Sequence, residues 1–352
     1  MNATLAAVRQ DTPAAPEHRR VQPLPGPATL REALPLDAAA AQRLGDHRQA
    51  VRAILNGDDD RLLVVTGPCS LHDPEAALDY GRRLAALAGE LDDRLLLVMR
   101  AYVEKPRTTV GWKGLLYDPH LDGRHDLAEG LRVSRRLLRD LAALGLPLAS
   151  ELLNPLAAAY LEDLLSWAAV GARTTESQIH RELVSGLDLP VGFKNGTDGG
   201  VGVARDAMSA AAHPHAHLGM DSHGQSALIQ TPGNPDTHLV LRGGHGGPNY
   251  HRQAVAAARQ ALLQAGLNPR VMIDCSHANS GKDPRRQALV LQDVIEQRRD
   301  GDHALVGVML ESHINGGNQK FGETLEYGVS ITDACLGWND TEQALRQLHA
   351  HL

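Results

Sequence analysis

From residue 61 onward, short apolar runs alternate with longer segments of helical period. The runs are LLVVTG (62–67), LLLVMRAYV (95–103), LPLASELL (146–153), WAAVGA (167–172), PVGFK (190–194), HLVLRGG (238–244), RVMIDCS (270–276) and ALVGVMLES (304–312). Between them, PEAALDYGRRLAALAGEL (74–91), LAEGLRVSRRLLRDLAAL (127–144) and HRQAVAAARQALLQAGL (251–267) carry helical spacing, the last closed by Gly266. Eight such strand–helix units predict an α/β fold, a (β/α)8 TIM barrel, with a doubly wound sheet as the alternative. HAHLGM (215–220) and QSALIQT (225–231), joined by a short polar turn, read as an inserted β-hairpin at about 214–231. Residues 1–35, rich in Ala, Pro and Arg without periodicity, read as an N-terminal extension, a partly flexible arm laid over the surface or over a neighbouring subunit. Disorder is the alternative for the first 20. Residues 36–352 then form a single barrel, and the arm and hairpin are the natural places for regulation or oligomer contacts.

The whole chain has 352 residues, 43% of them hydrophobic, and a formal net charge of −7. That charge excludes general affinity for nucleic acid, so any anion site must be a local gathering of Arg and Lys. Cys69, Cys275 and Cys335 are an odd trio, which fits a reducing compartment better than a disulfide framework. No apolar run approaches the roughly 20 residues that span a bilayer, and the start lacks a signal-peptide core. A soluble, cytoplasmic protein without membrane partners is expected.

A gathering of charge appears in RLLLVMRAYVEKPRTTVGWKGLLYDPHLDG (94–123), where an apolar strand runs into Arg100, Glu104, Lys105, Arg107 and Lys113. Barrel chemistry collects at the C-terminal ends of strands. There the runs deliver Cys69, Arg100, Glu151, Arg173, Lys194, Arg242, His277 and Glu311 in turn. A single charge at a strand end is ordinarily a solvated rim group, but its repetition at every strand is not. Arg100, Lys105, Arg173, Lys194 and Arg242 imply a small substrate with more than one anionic group. Cys69, His277, Glu311 and Asp333, the last in SITDACLGW, make a mixed sulfur, nitrogen and oxygen ligand set for one divalent metal. Mn, Fe, Co and Zn all suit it. Their spacing forms no metal motif, so this grouping depends on the barrel. HPHAH (213–217) reads as a turn into a strand rather than a metal tract, and Glu176 as a helix first-turn acid. KNGTDGG (194–200) fits a phosphate cradle and a plain strand-to-helix turn equally.

GPCSLHDP (67–74), MRAYVEKPRTTVGWKGLLYDP (99–119), SWAAVGARTTESQIHRELVSGL (166–187), PVGFKNGTDG (190–199), IDCSHANS (273–280) and SITDACLGW (330–338) resemble the type I, aromatic-amino-acid-regulated 3-deoxy-D-arabino-heptulosonate 7-phosphate (DAHP) synthases. The likeness runs from about residue 20 to the end. It implies a metal-dependent barrel that condenses phosphoenolpyruvate with erythrose 4-phosphate, the entry step of the shikimate pathway. Carried over by position, the metal ligands fall on Cys69, His277, Glu311 and Asp333. The phosphoenolpyruvate site falls on Arg100, Lys105, Glu151, Ala172 through its backbone, Arg173, Lys194 and Arg242, and the sugar phosphate site on Lys105, Pro106, Arg107 and Thr108. Catalytic roles are implied for Lys105, Glu151 and Lys194.

The resemblance also implies feedback inhibition by an aromatic amino acid and a homodimer or homotetramer. Asp188 and Gly219 stand in the implied effector pocket, and the absent side chain of Gly219 favours Tyr or Trp over Phe. Two rivals are an octulosonate-phosphate synthase, against which KPRTT speaks, and a Schiff-base aldolase built on Lys194.

Overall fold

The computed structural model describes residues 21–322 and 324–352. The first 20 residues of the expected arm lie outside the described part.

Helices start where the strand-to-helix loops supply a cap. Asp73 accepts from Glu75 N and Ala76 N and precedes α3 (Pro74–Leu91), Asp126 precedes α4 (Leu127–Ala143), and Asn154 precedes α5 (Pro155–Leu161). Each cap satisfies backbone N–H groups that have no partner within the helix. The remaining barrel helices are α6 (Gln178–Ser185), α7 (Gly202–Ala211), α8 (Arg252–Gln264), α9 (Gln287–Arg299) and α10 (Trp338–His351).

The strands are β1 (Leu62–Gly67), β2 (Leu95–Arg100), β3 (Leu148–Glu151), β4 (Trp167–Val170), β5 (Val191–Lys194), β8 (Thr237–Leu241), β9 (Val271–Asp274) and β10 (Leu305–Glu311). They pair in parallel into a closed barrel of order β1-β10-β9-β8-β5-β4-β3-β2. This is the (β/α)8 architecture, so the doubly wound alternative is excluded. The hairpin, β6 (His215–Met220) with β7 (Ser226–Thr231), is antiparallel and inserted between α7 and β8. His213 and His215 cap its entrance, with ring nitrogens 2.8 Å from the carbonyls of Ser209 and Ala210 in the last turn of α7. HPHAH is thus a turn into a strand.

Alternation along the strands divides the core in two. Leu63, Val65, Val98, Trp167, Val240, Met272 and Met309 fill the barrel interior, whereas Leu62, Val64, Met99, Phe193 and Ile273 face the helices. The interior cluster also holds Val51, Ile54 and Leu55 of α2 (Ala38–Asn56), a helix that precedes the first strand. α2 therefore closes the barrel floor, at the N-terminal ends of the strands. Deep in the barrel, the Trp167 indole donates to His238 Nε2 at 2.9 Å.

Ahead of α2, α1 (Pro27–Ala33) docks on the outside of the barrel. Arg31 donates to the Ala159 carbonyl and pairs with Glu162 at 3.1 Å, while Ala28 N donates to Ser222 O in the hairpin turn at 2.7 Å. The segment before the barrel thus bridges α5 and the hairpin. Among the described residues, no helix is long and apolar enough to cross a membrane.

Candidate active site

A cavity of about 250 Å³ opens at the C-terminal ends of the strands. The loop after β2 supplies Lys105, Pro106, Arg107 and Thr108 to its wall, and β3 ends there in Glu151. Ala172 and Arg173 follow β4, Lys194 ends β5, and Arg242 follows β8. His277, Lys282 and Asp333 complete the opposite side. Arg173 Nη1 lies 3.3 Å from Thr108 Oγ1, which ties the tip of the Lys105 loop to the β4–α6 loop.

Arg100 does not reach the wall. It is buried, donating to Pro68 O at 3.1 Å, Cys69 O at 3.3 Å and Glu311 Oε1 at 2.9 Å, with its guanidinium 3.6 Å above the Tyr102 ring. Burial alone would raise the Glu311 carboxyl, but Arg100, His277 and Lys105 outweigh it and hold it down at about 2. Removing either partner of this pair would strand a buried charge, at a cost of about 3–5 kcal/mol.

Glu311 also belongs to a donor cluster. The Cys69 thiol, the Glu311 carboxylate and the Asp333 carboxylate place ligand atoms within 4.8 Å of one another. His277 stands beside this trio rather than inside it, its Nε2 3.9 Å from Glu311 Oε1. Its Nδ1 is committed elsewhere, 2.8 Å from Asp274 Oδ2. A histidine held through one nitrogen by a carboxylate presents the other to a cation, the usual arrangement around metal-bound imidazoles. The His277 backbone takes φ 55°, a left-handed conformation that a non-glycine residue adopts under constraint, and it takes it at the cavity wall. Burial, reinforced by the charge of Glu311, pushes the Cys69 thiol up. A bound cation would reverse that preference and release the proton. The donor set suits a divalent first-row metal.

Three positioning groups were not foreseen from sequence. Asp274, fully buried, accepts Lys194 Nζ at 2.8 Å on the same oxygen that meets His277, and its other oxygen accepts Ser276 N and Oγ. The signal was legible as an acid inside the apolar run RVMIDCS. Burial would raise the Asp274 carboxyl, but His277 and Lys194 hold it well below the ordinary carboxylate range. Lys282 Nζ sits 4.0 Å from Asp333, and nothing in its loop distinguished it. Tyr102, which carries the Arg100 stack, read as one more apolar strand residue.

Lys113 and Trp112 hold the loop itself, the first with Nζ 5.8 Å over the Tyr117 ring and the second donating to Asp118 O. The two residues expected around an effector lie away from the cavity. Asp188 is largely exposed and pairs with Arg52 at 2.7 Å and Arg48 at 3.8 Å. Gly219 stands opposite Ala227 on the hairpin, and a Cβ there would meet Ile229 Cγ1 at 2.6 Å. Ile229 of the paired strand thus packs against the face of this glycine.

A closed parallel barrel whose mouth gathers six lysines and arginines beside a thiol and carboxylate cluster, with His277 next to it, defines a barrel enzyme acting on a small polyanion. The chain belongs to the DAHP synthetase I family, whose model matches residues 35–346. It is 53% identical over 334 residues to the Tyr-sensitive phospho-2-dehydro-3-deoxyheptonate aldolase of Escherichia coli strain K12, covering 94% of each chain. It is also 53% identical over 332 residues to the Phe-sensitive enzyme of that strain, covering 94% of this chain and 95% of that one. The structure of phospho-2-dehydro-3-deoxyheptonate aldolase from Francisella tularensis SCHU S4 superposes with a TM-score of 0.93 at 42% identity, covering 95% of this chain and 98% of that one.

Proposed function

We propose the following reading of the site. The chain is a DAHP synthase: it joins phosphoenolpyruvate to erythrose 4-phosphate, with water, to give 3-deoxy-D-arabino-heptulosonate 7-phosphate and inorganic phosphate. It opens the shikimate pathway and is feedback-inhibited by an aromatic amino acid. The observation that carries the reading is one cavity lined both by Arg173, Lys194 and Arg242 at the strand ends and by Lys105, Arg107 and Thr108 of the loop after β2.

Lys105, Arg173, Lys194 and Arg242 hold the carboxylate and phosphate of phosphoenolpyruvate, with the Ala172 backbone beside them and Arg100 supporting from below. Arg107 and Thr108, beside Pro106, hold the phosphate of the sugar. Cys69, His277, Glu311 and Asp333 hold one divalent metal, Mn, Fe, Co and Zn all being compatible, which when bound supplies Lewis acidity toward the aldehyde oxygen.

Carbon 3 of phosphoenolpyruvate forms the new carbon–carbon bond with the aldehyde carbon, and Lys105 delivers a proton to the oxygen that becomes a hydroxyl. The positive charge left at carbon 2 is met by water, whose proton Glu151 takes. Cleavage of the bond between carbon 2 and the phosphate oxygen then releases phosphate. Arg173, Lys194 and Arg242 act by orientation and charge. Lys194 Nζ is engaged as a donor to a buried carboxylate, which disfavours the Schiff-base aldolase.

Asp188 and Gly219 mark the effector pocket, with Tyr or Trp favoured over Phe. The assembly is a homodimer or homotetramer in the cytoplasm. A phosphate-release assay with both substrates, run with chelator, with each metal restored and with Phe, Tyr and Trp, tests the whole reading. Turnover that survives chelation, or a substrate adduct trapped by borohydride, would overturn it.

A further inference from the structure

Glu104 stands next to Lys105 but does not line the cavity, and its side chain is buried, the residue only 5% exposed. A carboxylate hidden from solvent is costly unless its oxygens are satisfied. Here they are satisfied by two other parts of the barrel mouth. Oε1 accepts the Tyr117 hydroxyl at 3.2 Å, from the returning limb of the same loop, and Oε2 accepts Asn154 N at 3.4 Å, from the β3–α5 loop. Asn154 Nδ2 closes the triangle by donating to the Tyr117 oxygen at 2.9 Å, while its Oδ1 caps α5 through Leu156 N.

The base of the loop is built around this triangle. Lys105 N donates to Lys113 O at 2.8 Å and Leu116 N to Val103 O at 3.1 Å. Gly114, at φ 114°, lets the returning limb lie against Val103 and Glu104, where any Cβ would collide with the Val103 carbonyl. Beyond this base the tip projects outward, with Val110 88% exposed. Arg107 and Thr108 therefore ride on an exposed tip whose direction is set at the base.

We propose that Glu104 is a positioning residue: its carboxylate pins the base of the substrate loop to the β3–α5 loop and so fixes where Arg107 and Thr108 meet the phosphate of the second substrate. Burial raises the Glu104 carboxyl to about 7, with Glu151 adding to the rise against the bonds from Asn154 and Tyr117. The acceptor form prevails above that value. Glutamine keeps the size of the side chain and one acceptor but turns the other oxygen into a donor, which must face Asn154 N or the Tyr117 hydroxyl.

The inference rests on the two-substrate reading, so wild-type turnover with both substrates comes first; its absence would count against that reading. Steady-state kinetics at pH 8 then compare the full-length wild type with Glu104→Gln, Tyr117→Phe and the double variant, with Tm measured alongside. Glu104→Gln is expected to raise KM for erythrose 4-phosphate roughly tenfold while KM for phosphoenolpyruvate stays within about twofold. Tyr117→Phe shifts the same constant in the same direction by less, and the double variant is no worse than Glu104→Gln because the two act through one contact. An unchanged sugar KM with only a lowered Tm, or an equal rise in both KM values, overturns the proposal. If Glu104→Gln does not fold, Tyr117→Phe decides by the same criterion.

Discussion

Lys194 and His277 meet on a single atom, Asp274 Oδ2, each at 2.8 Å. A lysine on the anion wall and an imidazole beside the donor cluster therefore depend on one buried acceptor.

Asp274→Asn keeps the volume but removes the charge and sets an amide N–H group against either Lys194 and His277 or the two Ser276 donors. Metal affinity is expected to fall about 10–100-fold, the usual loss when the carboxylate behind a ligating histidine is removed. Phosphoenolpyruvate affinity should fall with it. Titration calorimetry with Mn(II), and separately with phosphoenolpyruvate, checks both, and a variant that loses neither would show that Asp274 serves packing alone.

Lys105→Met is expected to lower kcat about a thousandfold, within the range for removing a general acid. Mn(II) binding should persist, because Lys105 is not itself one of the donors, with an affinity shifted by the loss of its charge beside Cys69 and Glu311. Near-normal turnover would remove Lys105 from the chemistry.

Cys69→Ala removes the thiol from the donor cluster. In the wild type, added divalent metal should raise Tm, because a ligand that binds only the folded state stabilises it. The variant should show little of that rise in differential scanning calorimetry. An undiminished metal-dependent shift would place the ion elsewhere.

Acid stability should follow two buried groups of opposite sign. His238, neutral beneath Trp167, is lowered by burial from 6.5 to about 4. Between those values the unfolded chain takes a proton that the native state refuses, so stability falls as pH drops from about 6.5 to 4, by roughly 3 kcal/mol. Glu104 is raised from 4.5 to about 7, so its native state gains stability as pH drops through that window. Urea unfolding at pH 7.5 and pH 5 should thus show a shallower acid loss for His238→Gln and a steeper one for Glu104→Gln than for wild type. Parallel slopes in all three would refute the assignment.

Gly219→Ser must push Ile229 aside, since a Cβ there lies 2.6 Å from its Cγ1. Inhibition profiles with Phe, Tyr and Trp should change while uninhibited turnover holds. Inhibition of the wild type by Phe alone would reverse the expected preference for Tyr or Trp.

Much of this architecture was legible because strand-end position carries chemistry independently of sequence spacing. Cys69, Glu311 and Asp333 have no motif in common, yet closure of the barrel brings them together. The run LLLVMRAYV overstated its strand, which ends at Arg100, because buried loop residues such as Tyr102 and Val103 are as apolar as strand residues. α2 escaped notice for the converse reason: its start, AAAAQRLGDHRQ, has few large apolar residues, and its role depends on Val51, Ile54 and Leu55 near its end. Contacts made by one carboxylate with two partners far apart in sequence, as at Asp274 and Glu104, leave no periodic trace. The gap at Gly219 could not be judged without Ile229 across the strand pair.

The floor laid by Val51, Ile54 and Leu55 leaves the reaction chamber blind-ended. Whatever reacts there must come and go at the C-terminal ends of the strands, where the Lys105–Thr108 loop forms part of the wall.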